Sequence, residues 1–459
     1  SNTLITQALY DPTPAAYNPF AGGDYAGIER ALVSMYRNGK SDLKMVDFKM
    51  SNPEIFEMPA GPVGFLVGYE WRKESYVDDR DPRLDGTIRF MRESDPINAP
   101  GVFDIEGDFD GCDPDTTPIG CSDDGYDTYP VTSDIVGASP TPDSNGSRTT
   151  NSVFMEFAIP LHETLDVQLA GRYEDFDDIG GTAVGRFAFG YRPIDQLLFR
   201  GSLSTAFRAP NLITINEQFV ARANTRDVWV CQYADDLADN GSAEICDRVY
   251  SMQRQATGSK ELQPEESTNS SFGFVLTPVD GLTMTYDYWT IEKDDTIGLF
   301  GEENHILYDL VLRSAAGTSN CGSVQGNPVV VRDPFDPDDQ DLIDGYLAAG
   351  LCPVGEVDFV ADSYLNLDTF ELEGYDVGVY YDFDTTFGEF SLRYNGSFYK
   401  KFQIVGASEL ATAIGEGKAA NPAIAYPLQG LGNLLGIDGY QKSRHSASAI
   451  WRKGDWRVG

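Results

Sequence analysis

No run of about 18 apolar residues occurs in this 459-residue chain, so no segment is fit to cross a bilayer as a helix. Basic residues are scarce: 34 Lys and Arg stand against 72 Asp and Glu, a net charge of −38. A chain so acidic repels a phosphate backbone, which excludes nucleic acid as a partner. Enzyme signatures are lacking as well. There is no phosphate-cradling glycine loop ending in Gly-Lys-Ser/Thr, no His-Glu-x-x-His pair and no Gly-x-Ser-x-Gly elbow. The glycine-rich GLGNLLG at Gly430–Gly436 has the wrong spacing for a dinucleotide and follows no strand-to-helix pattern. Carboxylate pairs arise anywhere in so acidic a chain and carry no catalytic information. No catalytic residue and no cofactor is expected.

What the chain does contain is long alternation. In Leu197–Asn211, Leu197, Phe199, Gly201, Leu203, Thr205 and Phe207 share one face, while Leu198, Arg200, Ser202, Ser204, Ala206 and Arg208 share the other. Soluble strands are usually shorter, and a tilted membrane-crossing strand needs about 9–11 residues. A long half-buried strand of a soluble β-sandwich remains the alternative. The negative mean hydropathy does not oppose a membrane, because the apolar residues of a β-barrel alternate with polar ones.

FRGSLSTAFRAPNL, within that stretch, resembles the mid-barrel signature of TonB-dependent outer-membrane receptors. NPFAGGD (Asn18–Asp24), PAGPVGFLVGYEWRKES (Pro59–Ser75), IPLHETLDVQLAGRYEDF (Ile159–Phe176) and LQPEESTNSSFGFVLTPVDGLTMTYDYWTIE (Leu262–Glu292) resemble the same family in the same order. The resemblance implies an all-β fold: a partial antiparallel transmembrane β-barrel, about 11–12 strands of a wall of about 22. It also leads one to expect a signal peptide and a Gly-rich plug before Ser1, and an aromatic C-terminal residue after Gly459. The chain shows none of these, so a piece cut from a longer protein is expected, the plug and last strands missing.

Along the chain, Pro12, Pro14 and Pro19 mark a loop. Ile28, Ala31, Leu32, Met35 and Tyr36 then form a helical stripe that suits local packing. Strands are expected at Leu43–Met50, Val63–Arg72, Val153–Pro160, Asp166–Tyr173, Ala183–Tyr191, Leu197–Phe207, Ser270–Leu276, Leu282–Glu292, Leu372–Phe383, Glu389–Lys401 and Lys442–Trp451. Short turns at 160–163, 192–195, 277–281 and 384–388 alternate with long polar connections, expected as extracellular loops at about 75–152, 208–268, 293–370 and 402–440. Antiparallel strands place every second connection at the same end. Sorting by length is therefore the asymmetry of an outer-membrane barrel.

The six cysteines sit in these loops, two to a loop: Cys112 and Cys121, Cys231 and Cys246, Cys321 and Cys352. Pairing within each loop is the simplest connectivity, and the periplasm would oxidise it. Zinc is the rival, but His162, His305 and His445 lie far from a ligand spacing. Acid concentrates at Asp104–Asp115 and Asp333–Asp341. A solvated repulsive surface accounts for it, and neither stretch fits a calcium loop, so no metal site is assigned.

By the resemblance, the protein is an active-transport receptor in a Gram-negative outer membrane. It would bind a scarce substrate, an iron–siderophore or an oligosaccharide, and import it with energy from the TonB–ExbB–ExbD complex acting through a plug. Its partners would be the lipid bilayer, that complex and the small-molecule or oligosaccharide cargo. Arg72, Arg172, Arg200 and Arg393 are expected to face the lumen, toward plug or ligand or paired with acids such as Glu70, Glu174 and Glu389. Loop aromatics Phe103, Phe109, Tyr126 and Tyr129 are candidate ligand contacts, since aromatic faces stack on sugars or flat chelates. Arg208 reads as part of a strand exit, with Pro210 ending the ladder. A non-transporting adhesive surface barrel and a soluble carbohydrate-binding β-sandwich are the alternatives.

Overall fold

The computed structural model describes residues 31–85, 141–218, 220–223 and 253–459 (save single positions 336, 339, 356 and 438), with Leu4, Ile5, Ala8 and Ile135 besides. Thirteen strands form one sheet. Its elements are β1 (Arg37–Met58), β2 (Gly61–Arg80), β3 (Ser144–His162), β4 (Leu165–Phe176), β5 (Gly180–Ile194), β6 (Leu197–Arg208), β9 (Glu265–Val279), β10 (Leu282–Asp294), β14 (Thr369–Thr385), β15 (Gly388–Val405), β17 (Ser443–Lys453) and β18 (Trp456–Val458). They pair in that order, and the two-residue β16 (Gly432–Asn433) adds to the side of β15. Every pairing in this sheet is antiparallel, so it is a continuous meander of the kind that walls a barrel. Among the described residues the other sheet has five strands, too few to cover this one strand for strand as a sandwich requires.

Cross-strand register lines up one apolar face. Phe48 opposes Tyr69, Tyr69 opposes Val153 and Val153 opposes Tyr173; further along on the same face, Phe187 opposes Leu203 and Phe272 opposes Tyr288. These side chains point outward. Phe48 is 65% exposed, Leu203 53% and Phe272 53%. Val63, at the foot of β2 beside a bulge in β1, is the buried exception in the Val63–Trp71 row. The opposite face carries Glu70, Arg172, Ser202, Arg200 and Asp287.

The strands exceed their sequence expectations at nearly every end. β2, with 20 residues, is about 66 Å long, whereas an apolar band is about 25 Å tall, even allowing for tilt. Its upper half, Arg72–Arg80, therefore stands beyond the bilayer. Strand structure occupies part of the expected loop at 75–152, from Ser75 to Arg80 and from Ser144 onward, because a ladder already started persists while its partner supplies hydrogen bonds. Turns link β1–β2, β3–β4, β5–β6, β9–β10, β14–β15 and β17–β18 at one end. At the β9–β10 turn, Gly281 has φ +80° and a Cβ there would lie 2.0 Å from the Asp382 carbonyl oxygen, so only glycine fits. All the long connections lie at the other end, where β4–β5 alone is brief (177–179). The helix expected after Asp24 does not extend through Leu32–Tyr36, which are irregular and largely exposed; its first residues lie outside those described.

The larger correction concerns the long connections. Three of them interlace into a second layer. Its elements are α2 (Leu212–Asn216) at the rim, then β7 (Val220–Ala223), β8 (Gln253–Thr257), β11 (Ile297–Leu299), α3 (Glu302–Ala316), β12 (Val330–Arg332), α4 (Gln340–Ala348), β13 (Val357–Asn366) and α5 (Glu409–Ala420); α1 (Pro82–Asp85) belongs to a fourth connection and follows the tip of β2. The order of its sheet is β11-β13-β8-β7, with β12 also beside β13. β8 and β13 run parallel, which is possible because they come from different connections. Ile306, Leu307, Leu310 and Val311 of α3 are buried against Val330, Val360, Tyr346, Ile414 and Ile424. This is the apolar core of the structure; the wall has its apolar side turned out.

Candidate functional site

The polar face of the wall is a set of closed charge pairs. Arg172 reaches Glu70 at 3.6 Å, binds Glu174 and donates to Ser152 Oγ at 3.1 Å. Arg72 lies 3.7 Å from the same Glu70. Arg200 makes a two-pronged pair with Asp287 (2.8 and 2.5 Å) across the intervening β9. Gly273 permits that reach, because a Cβ there would sit 2.3 Å from Asp287 Oδ1. Arg393 is held by both carboxylate oxygens of Asp382 at 2.7 Å. All four arginines lie on the polar face, each beside an acid. Not every donor there is satisfied: Arg72 Nε, Tyr76 Oη and Thr150 Oγ1 are buried without a hydrogen-bond partner among the described residues. Sequence alternation placed Arg72, but nothing in the sequence marks Tyr76 or Thr150.

At the rim, buried polar groups tie wall to outer layer. Arg148, 3% exposed, donates to Asp178 and to the Pro210 carbonyl, and so clamps the tips of β3, β4–β5 and β6. Asn211 then caps α2 through Thr214 N at 2.7 Å. Arg208 and Pro210 thus serve strand exit, as expected. Asp78 near the top of β2 is bonded by Arg37 and Arg80; chiefly the Arg37 bond holds its carboxyl below the usual carboxylate range.

Within the outer layer, Asp309 is fully buried and accepts from Arg313, Arg332 and Asn327 N. Asp362, equally buried, meets His305 Nε2 at 3.2 Å and Gly301 N at 3.2 Å. His162 sits in the β3–β4 turn and His445 packs against Phe398, so the three histidines do not converge. Among the described residues no group of three or more His, Cys, Asp or Glu is placed to hold a metal ion. Cys321 and Cys352 are joined as a disulfide, their Cα atoms 5.3 Å apart, which fastens the turn after α3 to the end of α4. Cys112, Cys121, Cys231 and Cys246, and the aromatics Phe103, Phe109, Tyr126 and Tyr129, lie outside the described residues, as does Asp104–Asp115.

Between wall rim and outer layer lies a cleft of about 350 Å³. Thr296, Leu367, Asp368 and Ile404 contribute from the rim; the start of α3 and 429–431 contribute from the layer. The sequence does not mark it, because α3 falls within the connection expected as loop at about 293–370. Glu302 and Glu303 before the run Ile306, Leu307, Leu310, Val311, and Gly317 after it, were the available signal.

A meander with grease on one face, charge on the other and its long connections at one end is a membrane-embedded β-barrel wall. The chain matches the family model for TonB dependent receptor-like β-barrels over residues 7–459, and it belongs to that family, a protein of the Gram-negative outer membrane. Among solved structures it is similar to the siderophore receptor PirA from Acinetobacter baumannii, at 15% identity and a TM-score of 0.43, over 80% of this chain and 38% of that one. It is similar also to a mutant of the ferric enterobactin receptor PfeA from Pseudomonas aeruginosa (11%, TM-score 0.49, 91% of this chain and 40% of that one). A third is the ferripyoverdine receptor of the same organism bound to ferripyoverdine (11%, TM-score 0.44, 91% and 37%). The chain spans about two fifths of the length of these structures. No curated protein matches.

Proposed function

We propose that the protein is a substrate-specific active-transport receptor. Its outer layer and polar face bind a scarce solute, and the TonB–ExbB–ExbD complex drives import by acting on a plug seated against the polar face. The observation that carries this reading is the pairing of an apolar, exposed outer face with a charge-lined inner one in a single meander. A wall of that kind needs lipid outside, and a polar lumen needs an occupant that its unpartnered donors, Thr150 Oγ1 among them, can bond. An iron–siderophore complex or an oligosaccharide is the cargo; the loop aromatics Phe103, Phe109, Tyr126 and Tyr129 are candidate contacts, and Arg72 and Arg172 face the passage. Cells lacking the gene, grown on single candidate iron or carbon sources at limiting concentration, test this. A growth defect on one source, cured by the gene but not in cells without TonB, is expected. Normal growth on every source would leave an uncoupled surface barrel instead.

A further inference from the structure

Charged side chains that face each other across two strands are normally of opposite sign, since like charges there destabilise the pair. Lys44 of β1 and Lys73 of β2 break that rule: they are direct register partners. Both lie on the lipid-facing side, in the rows Met50, Phe48, Val46, Lys44 and Val67, Tyr69, Trp71, Lys73. Both are exposed. Among the described residues neither takes part in an ion pair, whereas Lys40 is held by Asp42 at 3.1 Å and Lys49 by Asp47 at 3.3 Å. The lysines of β15 obey the rule, with Lys400 3.3 Å from Glu373 and Lys401 3.4 Å from Glu371. In a chain with 72 acids to 34 bases, two facing lysines without a carboxylate call for an anion from elsewhere.

Their height decides which anion. Lys73 is the thirteenth residue of β2, about 40 Å along the strand from the turn and about 30 Å above it at the usual barrel tilt. An apolar band about 25 Å tall ends just short of that. Tyr69 and Trp71 lie immediately below, residue types that settle at a membrane–water boundary, and Tyr69 donates its hydroxyl to Asn151 Oδ1 at 2.8 Å. The two ammonium groups therefore stand among the headgroups of the leaflet nearer the long connections. Lys40, Lys44 and Lys73 outweigh Asp42 on this face, and Thr149, the next partner of Lys73, is neutral. We infer that Lys44 and Lys73 together hold the phosphate of a lipid headgroup in that leaflet, with the acyl chains lying along Val46, Phe48 and Tyr69. A phosphomonoester, with a charge of about −1.5 to −2 at pH 7, matches two ammonium groups better than a phosphodiester does. A zwitterionic headgroup brings a cation of its own. The site needs only a wall seated in lipid, and it stands whether or not the receptor transports a solute.

Fluorescence quenching at Trp71, taken as the difference between wild type and Trp71→Phe, reports which lipid lies beside the pair. The intact receptor is folded into phosphatidylcholine vesicles that contain a minor fraction of brominated-chain phosphatidic acid, phosphatidylglycerol or phosphatidylcholine. Brominated phosphatidic acid is expected to quench Trp71 about fivefold more efficiently than brominated phosphatidylcholine, with phosphatidylglycerol between them and the excess shrinking with salt. Lys44→Glu sets an acid opposite Lys73, so that variant should fold at least as well as wild type and lose the excess. Lys44→Gln with Lys73→Gln should lose it too, while Lys400→Gln with Lys401→Gln should keep it. Equal quenching by the three lipids, or an excess that survives Lys44→Glu, would overturn the inference. So would an excess abolished by inorganic phosphate but not by sodium chloride of the same ionic strength, which would mark a site for the free anion. Growth of the deletion strain reports on transport separately.

Discussion

Arg208, the last residue of β6, is paired with Glu265, the first of β9: its Nε lies 2.5 Å from Glu265 Oε2. Glu265 is 1% exposed and also takes Ile297 N at 2.8 Å and Lys293 Nζ at 3.3 Å. One buried carboxylate thus joins the strand exit, the β9–β10 hairpin and β11 of the outer layer.

Glu265→Ala leaves the Ile297 N–H and the Lys293 ammonium without that acceptor. Because Arg208 itself is mostly exposed, the loss is carried by the buried groups, about 1–3 kcal/mol. Urea unfolding of the receptor in lipid vesicles measures it, and hydrogen exchange should quicken first at Ile297.

The Cys321–Cys352 bond closes a loop with a sequence separation of 31. Replacing both by Ser should lower the stability of the outer layer by about 2–4 kcal/mol, with the wall unaffected. Limited proteolysis should cut between α3 and β13 in the variant, or in reduced wild type, under conditions where oxidised protein resists.

Asp78 gives the rim an acid dependence of known sign. Its folded carboxyl titrates lower than in the unfolded chain, chiefly through the hydrogen bond from Arg37, so its contribution is complete above the ordinary carboxylate range. That contribution fades as pH falls through the depressed value, below about 4. Protection from exchange at Arg37–Asn38, taken relative to the intrinsic rate at each pH, should fall more steeply as pH drops from 5 to about 2 in wild type than in Asp78→Asn.

The wall and its register were legible in the sequence because period-2 alternation depends only on which side of each strand meets lipid. Leu203 and Ser204 could be assigned to opposite faces without any partner strand. The outer layer was not legible. Its core joins α3 to Ile414 and Ile424, more than a hundred residues on, and its one parallel pairing joins Ala256 to Asp362. Such contacts leave only short apolar clusters in each connection, which read as loop. Tyr76 and Thr150 were missed for a different reason: an unsatisfied hydroxyl is a property of its surroundings, and alternation says only which face it is on.

Arg200–Asp287, although two-pronged, is half open to water on the arginine side. A double-mutant cycle with Arg200→Met and Asp287→Asn should give a coupling below about 1 kcal/mol, shrinking with added salt. A much larger value would mean that the polar face is dry.

The most direct test of the account places one arginine at adjacent positions of β6 and measures folding into phospholipid vesicles. Leu203→Arg should cost about 2–4 kcal/mol and block assembly into the outer membrane, while Ser204→Arg should cost less than about 1 kcal/mol and assemble normally. Equal costs at the two positions, or the reverse order, would contradict a wall whose Leu203 side faces lipid.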